Sequence, residues 1–409
     1  MLRIIRPSLN SPDLIMLINK KTALFAMVVI ALAGCGKSET ASNQSAASGE
    51  LEVKIGAAAP LTGPQAHIGK DNENGTRMAI DDANAKGILI GGKKAHFELL
   101  SEDDQADPKT ATIVAQKFVD EKVNGVIGHL NSGTTIPASA IYFKNGIPQI
   151  SPSATAVKYT AQGYNTAFRV MSNDAQQGKA LGEFATKVVK ATKIAVIDDR
   201  TAYGQGLADE FVKSAEANGA QIVAREYTTD HSVDFTSVLT SIKGKRPELL
   251  FFGGMDPQGV PMVKQLRALG MKTQFMMGDG GYTPELIQLA GDAAEGAYAS
   301  LPGVPLDNMP SGRDFSKRYE ARFNQPIQLY APYCYDAVNV MIAAMQKAGS
   351  AEPAKYLPEI GKVEMDGVTA KIRFDEKGDL KGGAVTVYQV HAGKWHPVQT
   401  MGDAPAVKQ

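Results

Sequence analysis

Two short runs of hydroxyl side chains carry the residue types and spacing for chemistry: Asn131-Ser132-Gly133-Thr134-Thr135 and Ser151-Pro152-Ser153-Ala154-Thr155. Each follows an apolar run that reads as a strand, Val126 to Gly128 and Ile147 to Ile150, with a helix between them. Hydroxyls beyond the carboxyl ends of parallel strands, beside a helix N-terminus with free N–H groups, suit a small anion such as a carboxylate. Ser, Thr, Asn and Pro are also ordinary cap and turn formers, so one such turn alone would mean little. The repetition at two strand ends is what points to a site.

Elements that could hold these turns alternate along the chain. Glu52 to Pro60 reads as a strand, followed by a helix with Ala79, Ile80 and Ala83 on one face and a strand through Ala95 to Asp104. Asp107 and Pro108 open a helix with Ala111, Val114, Ala115 and Phe118 at i, i+3, i+4 and i+7. After the hydroxyl turns come further strands at Lys193 to Ile197, Ala220 to Tyr227, Glu248 to Phe252 and Thr273 to Met277. They are separated by helices near Ala175 to Val189, Gly206 to Asn218, Phe235 to Ile242 and Gln258 to Leu269. Ser311 to Gly349 reads as helical, and short strands with hairpin signals follow Gly367. Alternating strands and helices imply parallel sheets covered on both faces, and there are too many strands for one compact sheet. Two α/β lobes are expected.

The first 50 residues read differently. Lys20 and Lys21 precede an apolar run from Ala23 to Ala33 that ends in Leu32-Ala33-Gly34-Cys35. The run has the length of a signal-peptide core and is too short to span a bilayer. Its end is similar to a bacterial lipoprotein signal, so lipidation of Cys35 after loss of residues 1–34 is expected, with Met16 an alternative start; Ala31-Leu32-Ala33 also meets the ordinary cleavage rule. Residues 35–50 are polar, rich in Ser and Ala, and read as a flexible tether. An extracytoplasmic, lipid-anchored protein is expected. Removing residues 1–34 leaves 39 basic against 42 acidic side chains, too even a balance for a nucleic-acid partner. Only Cys334 then remains as a thiol, which excludes an intrachain disulfide.

Familiar catalytic patterns are missing. Gly87 to Lys94 lacks the Ser or Thr of a phosphate-binding loop and lies after a helix instead of a strand. Gly204-Gln-Gly206 lacks the third glycine of a dinucleotide fingerprint. The six histidines show no metal-ligand spacing, and no Gly-x-Ser-x-Gly elbow occurs. No catalytic residue, cofactor or metal is expected.

The segments Ile55 to Pro64, His129 to Ser132, Pro137-Ala-Ser, Ile150 to Thr155, Tyr203 to Leu207 and Ala290 to Gly296, in this order, resemble the leucine/isoleucine/valine-binding proteins of bacterial branched-chain amino-acid ABC transporters. The resemblance covers nearly everything after Leu51. It implies two discontinuous Rossmann-like lobes with parallel central sheets, the periplasmic-binding-protein type I fold, joined by three crossovers near Met171, Ser300 and Gly382. Lobe one would comprise residues 51–171 and 301–382, and lobe two residues 172–300 and 383–409.

Site roles follow from the same resemblance. Ser132 matches a ligand-carboxylate contact, and Ser153, Ala154 and Thr155 match contacts to carboxylate and ammonium. Tyr203 matches a second-lobe tyrosine that reaches the ligand on closure, and Asp279 an acidic partner of the ammonium. Leu130, Asn131, Ile68, Met255 and Tyr330 fall at pocket positions. The chain departs from the family at Asn131, in place of a half-cystine, at Ile68 and Met255, in place of aromatics, and at Asp279, in place of a glutamate. The implied function is that of a non-enzymatic, monomeric substrate-binding protein that closes over an aliphatic amino acid and delivers it to permease subunits. Rival readings keep the fold and bind an amide, urea or aromatic acid, or serve a sensor receptor.

Overall fold

The computed structural model describes residues 49–402. Residues 1–34, Cys35 and most of the expected tether lie outside the described residues. Strands β1 (Leu51–Ala59), β2 (Leu89–Ile90), β3 (Lys93–Asp103), β4 (Gly125–Gly128), β5 (Gln149–Ser151) and β6 (Ala167–Arg169) form one sheet in the order β2-β3-β1-β4-β5-β6. A second sheet takes β7 (Lys193–Asp198), β8 (Gln221–Tyr227), β9 (Leu249–Gly253), β10 (Gln274–Met277) and β11 (Tyr298–Pro302). After a small ribbon of β12 (Met365–Asp366) and β13 (Lys371–Ile372), it is completed by β14 (Ala384–His391) and β15 (Lys394–Gly402). Its order is β15-β14-β11-β10-β9-β7-β8.

Sequence explains this layering. Strand β9, Leu-Leu-Phe-Phe-Gly, is buried along its whole length, as a parallel strand covered on both faces should be. Phe251 there stacks on Phe211 of the helix Ala202–Ala217 at 4.1 Å between ring centres. Burying such a ring stabilises by about 1.5–3 kcal/mol. The helix Pro108–Asp120 starts as expected, with the Asp107 carboxylate accepting from the Thr110 N–H at 2.7 Å, and buries Ala111, Val114, Ala115 and Phe118.

Four details differ from the sequence reading. The helix expected from Gly206 begins at Ala202, because Thr201 Oγ1 caps it by accepting from the Gly204 N–H at 2.9 Å. Ser132 to Thr135 form the first turn of the helix Ser132–Lys144 instead of preceding it. The helical stretch from Ser311 is two helices, Gly312–Phe323 and Ala331–Ala348, parted after Asn324, whose φ of 51° stops the first. Neither sheet is wholly parallel: β2, β14 and β15 run antiparallel to their neighbours.

Three segments pass between the sheets and are bonded to one another. The Ser172 hydroxyl donates to the Ala384 carbonyl at 3.2 Å, the Gly303 N–H to the same oxygen at 2.6 Å, and Thr386 Oγ1 to the Gly303 carbonyl at 2.8 Å.

Candidate functional site

In each sheet the strand order reverses direction beside one strand, next to β1 in the first and β7 in the second. Ligand crevices open beyond the carboxyl ends of strands at such points. The expected residues lie there: Ser132 after β4, Ser153 to Thr155 after β5, Tyr203 after β7, Met255 after β9 and Asp279 after β10.

The two hydroxyl turns interlock. Ser132 Oγ accepts from the Ala156 N–H at 3.1 Å, and Ser153 Oγ donates to the Leu130 carbonyl at 3.0 Å. Ser151 Oγ donates to the His129 carbonyl and accepts from the Ala154 N–H, so the turns are fixed before any ligand is considered. The N–H groups of Ser132 and Gly133, at the helix start, have no intrahelical acceptor. Thr155 Oγ1 is buried beside the Asp174 carboxyl, whose burial-driven rise in pKa it opposes.

Arg169, fully buried at the end of β6, holds the second turn from beneath. Its guanidinium donates to the carbonyls of Ala154 and Ala156 at 2.8 and 2.9 Å, to Thr160 Oγ1, and to the Asp379 carboxylate at 2.6 Å. Nothing in the hydroxyl pattern indicates this residue; the available signal is a cation inside the apolar run Ala167 to Met171.

Asp279 begins a short 3-10 turn and is fully buried. Its Oδ1 accepts from the Tyr203 hydroxyl at 2.7 Å and from Gln177 Nε2 at 3.0 Å, and its Oδ2 from the Tyr330 hydroxyl at 2.6 Å. Burial pushes the carboxyl above its ordinary range, against the pull of these three donors. Burial, and then the Asp279 charge, push both tyrosine hydroxyls well up, so they stay protonated donors. Tyr330 comes from the other lobe: it precedes the helix Ala331–Ala348, which packs on Ala66–Lys86 beside the first sheet. It is set in place by Asp71, whose buried carboxylate accepts from the N–H groups of Gln328, Leu329, Tyr330 and Ala331.

Ile68, Leu130, Met255 and Tyr330 are all buried. Ile68 and Met255, from opposite lobes, are neighbours in sequence of a pair that bridges the lobes: His67 Nε2 lies 2.8 Å from Asp256 Oδ2. Asn131 is half-buried, and its amide donates to Gln65 Oε1 at 2.8 Å. Cys334 is a buried free thiol.

Two residues of the site had no sequence signal of their own. Gln177 links Asp279 to Ser300, and Asp174 lies beside it at the start of the helix Asp174–Lys187. In sequence both read simply as the opening of a helix, because Asn173 and Gln176 form a capping box there.

With this geometry in view, comparison with known proteins is informative. The family described as periplasmic binding protein matches residues 52–394. The leucine-, isoleucine-, valine-, threonine- and alanine-binding protein of Pseudomonas aeruginosa is 34% identical over 339 residues, 83% of this chain and 90% of that protein. The leucine-specific-binding protein of Salmonella typhimurium is 35% identical over 341 residues, 83% of this chain and 91% of that one. Among solved structures, a leucine-binding protein of Thermotoga maritima superposes with a TM-score of 0.80 at 27% identity, covering 85% of this chain and 98% of its own. A branched-chain amino-acid transporter substrate-binding protein of Streptococcus pneumoniae, in complex with isoleucine, gives 0.78 at 26% identity, covering 86% and 100%. Two α/β lobes, facing turns at their strand ends and matches over more than four-fifths of the chain agree: the protein belongs to the periplasmic binding protein family.

Proposed function

We propose that this protein captures a free amino acid with an aliphatic side chain, leucine, isoleucine or valine, between its two lobes and delivers it to the permease subunits of an ABC transporter. The observation that carries this reading is Asp279. A buried carboxylate with no Lys, Arg or His partner among the described residues takes hydroxyl donors from both lobes, and the hydroxyl turns stand at strand ends of the other lobe, so ammonium and carboxylate groups would each have a complementary wall. Ile68, Leu130 and Met255 supply apolar surface without charge, which suits an aliphatic chain and disfavours Lys, Arg, Asp or Glu.

Contacts from both lobes are complete only when the lobes are together, so ligand favours the closed form. Ser132, Ser153, Ala154 and Thr155 would hold the carboxylate end, and Tyr203, Asp279 and Tyr330 the ammonium end. A thermal-shift screen against the common amino acids and their amides tests the reading. Leucine, isoleucine or valine should give the largest shift, and an amide or a charged amino acid outranking all three would defeat it.

The same proposal places the protein outside the cytoplasm, as a monomer tethered by lipid on Cys35. Among the described residues no helix is long and apolar enough to cross a membrane. Intact-mass measurement of membrane-fraction protein should show loss of residues 1–34 and an acylated Cys35; an unmodified new N-terminus would mean simple secretion.

A further inference from the structure

We propose that the three crossovers enclose a second ligand site, a cavity for a small amphipathic anion of the medium-chain carboxylate class, whose occupant strengthens closure of the lobes over the main ligand. The coupling rests on the closure reading above; the cavity itself does not.

This cavity, of about 180 Å³, is walled by all three segments that pass between the sheets: Val170 to Ser172, Gly303 with Val304, and Lys381 to Ala384. Val170, Met171, Val304 and Leu380 line it with apolar surface and are themselves buried. Lys371, Arg373 and Lys381 also line it and are exposed. The inner end is therefore apolar and the outer end cationic. Polar side chains of the wall are already paired: the Ser172 hydroxyl donates to the Ala384 carbonyl, the Tyr333 hydroxyl to the Pro302 carbonyl and the Thr369 hydroxyl to the Asp336 carboxylate. An apolar body can thus enter without leaving these groups unmet.

Nearby acids do not cancel the charge at the outer end. Glu364 Oε1 lies 2.7 Å from Lys371 Nζ, and the charge of Arg373 reaches the same carboxylate. Asp336 is taken up by the N–H groups of Val368 and Thr369 as well as by the Thr369 hydroxyl. Arg373 and Lys381 form no ion pair among the described residues. A guanidinium and an ammonium at the mouth of an apolar cavity suit a carboxylate with a hydrocarbon tail, and they repel a cation.

Position gives the site its consequence. In this structure the lobes are together, with the Tyr330 hydroxyl of one donating to Asp279 of the other. Gly303, Gly382 and Gly383 have φ of 108°, 74° and 114°, backbone conformations that glycine adopts most readily. Each wall of the cavity belongs to a different crossover, so rotation of the lobes would change the spacing of the walls. An occupant fitted to the present spacing binds the closed form better than an opened one. It must then tighten binding of the ligand between the lobes, and that ligand must tighten it by the same factor.

Calorimetric titration of the whole protein, saturated with L-leucine, with sodium octanoate tests the site, with 1-octanol and octylamine as neutral and cationic controls. Octanoate should bind at least about tenfold more tightly than either control. Saturating octanoate should in turn tighten L-leucine by about fivefold. The double variant Arg373→Glu, Lys381→Glu, altered only at exposed side chains outside the amino-acid site, should lose octanoate binding and keep its affinity for leucine alone. Should it fail to fold, Lys381→Ala by itself should weaken octanoate about threefold. Octanoate that displaces leucine would lie in the main cleft, and octanoate indifferent to both variants would lie elsewhere; either result overturns the proposal, as does an absence of binding. Leucine affinity unmoved by saturating octanoate would overturn the coupling. Octanoate binding that depends on the two cations, in a protein that ignores leucine, isoleucine and valine, would instead defeat the amino-acid reading and leave the hinge cavity standing.

Discussion

Asp279 concentrates the chemistry of the site in one side chain. Its carboxylate takes donors from both lobes, so under the proposed function a substitution there would act on ligand contact and on closure together. Asp279→Asn should cost roughly 2–5 kcal/mol of amino-acid binding, the range for breaking a desolvated charge pair, with unfolding little changed. Calorimetry on the purified variant checks this. Tyr330→Phe separates the two effects. It keeps the ring and removes only the hydroxyl, leaving Asp279 Oδ2 without its donor in the closed form, and should weaken binding by about 1–3 kcal/mol. Affinity equal to the wild type would mean that the hydroxyl is idle. At this scale the hydroxyl types mark Ser132 and Thr155 beyond strand ends, where the structure has them, while Asp279 was indicated only by the family resemblance. Asp174, Gln177 and Arg169 were not legible, because their roles arise from partners far away in the chain: Gln177 meets Asp279, and Arg169 meets Asp379, only after the second lobe and its return segments are folded.

Elements meet closely where Gly75, in the helix Ala66–Lys86, faces the start of the helix Ala331–Ala348. A methyl group on Gly75 would collide with the backbone carbonyl of Ala331. Alanine is intrinsically the better helix former by about 1 kcal/mol, yet a clash with backbone cannot be relieved by a rotamer change. Gly75→Ala is therefore expected to lower stability to urea by about 1–3 kcal/mol net. Since Tyr330 immediately precedes the displaced helix, leucine affinity should fall with it. Strand and helix order were readable from apolar periodicity. Boundaries failed where a cap decided them: Thr201 starts its helix four residues before Gly206, the glycine that had read as the start.

For the molecule as a whole, buried acids set the pH dependence of folding. Burial pushes Asp174 up to about 8 and Asp199 and Asp336 each up to about 6, above the ordinary carboxylate value. The folded form thus binds protons more tightly than the unfolded chain between roughly pH 4.5 and 8, so stability falls as pH rises through that window. Carboxylates with depressed values, such as the half-buried Asp107, held down by its cap bond to Thr110, act in the opposite sense at lower pH. Without ligand, the Tm should be higher at pH 5.5 than at pH 8.5, as calorimetric scans would show. Across the lobes, His67 faces Asp256 and, at 3.6 Å, Glu285. Burial opposes its protonation, but the two acids outweigh burial and raise its pKa. Its charged contact is therefore fully present below about pH 6.5 and lost as pH rises through the raised value. His67→Gln should flatten the change in leucine affinity between pH 6 and 8.5; an unaltered profile would remove His67 from closure.

The His67 contact also reaches the chain's single tryptophan. Asp256 Oδ2 accepts from Thr283 Oγ1 at 2.7 Å, the Thr283 carbonyl accepts from Trp395 Nε1 at 2.9 Å, and the Tyr282 ring lies 5.4 Å from the indole. Movement of the lobes perturbs the far end of that chain, and indole emission is sensitive to the hydrogen bond at its nitrogen and to neighbouring phenols. Titration with L-leucine should therefore change Trp395 fluorescence, and His67→Ala should diminish the change at equal occupancy. The protein would then carry a built-in optical gauge of its own closure, requiring no attached dye.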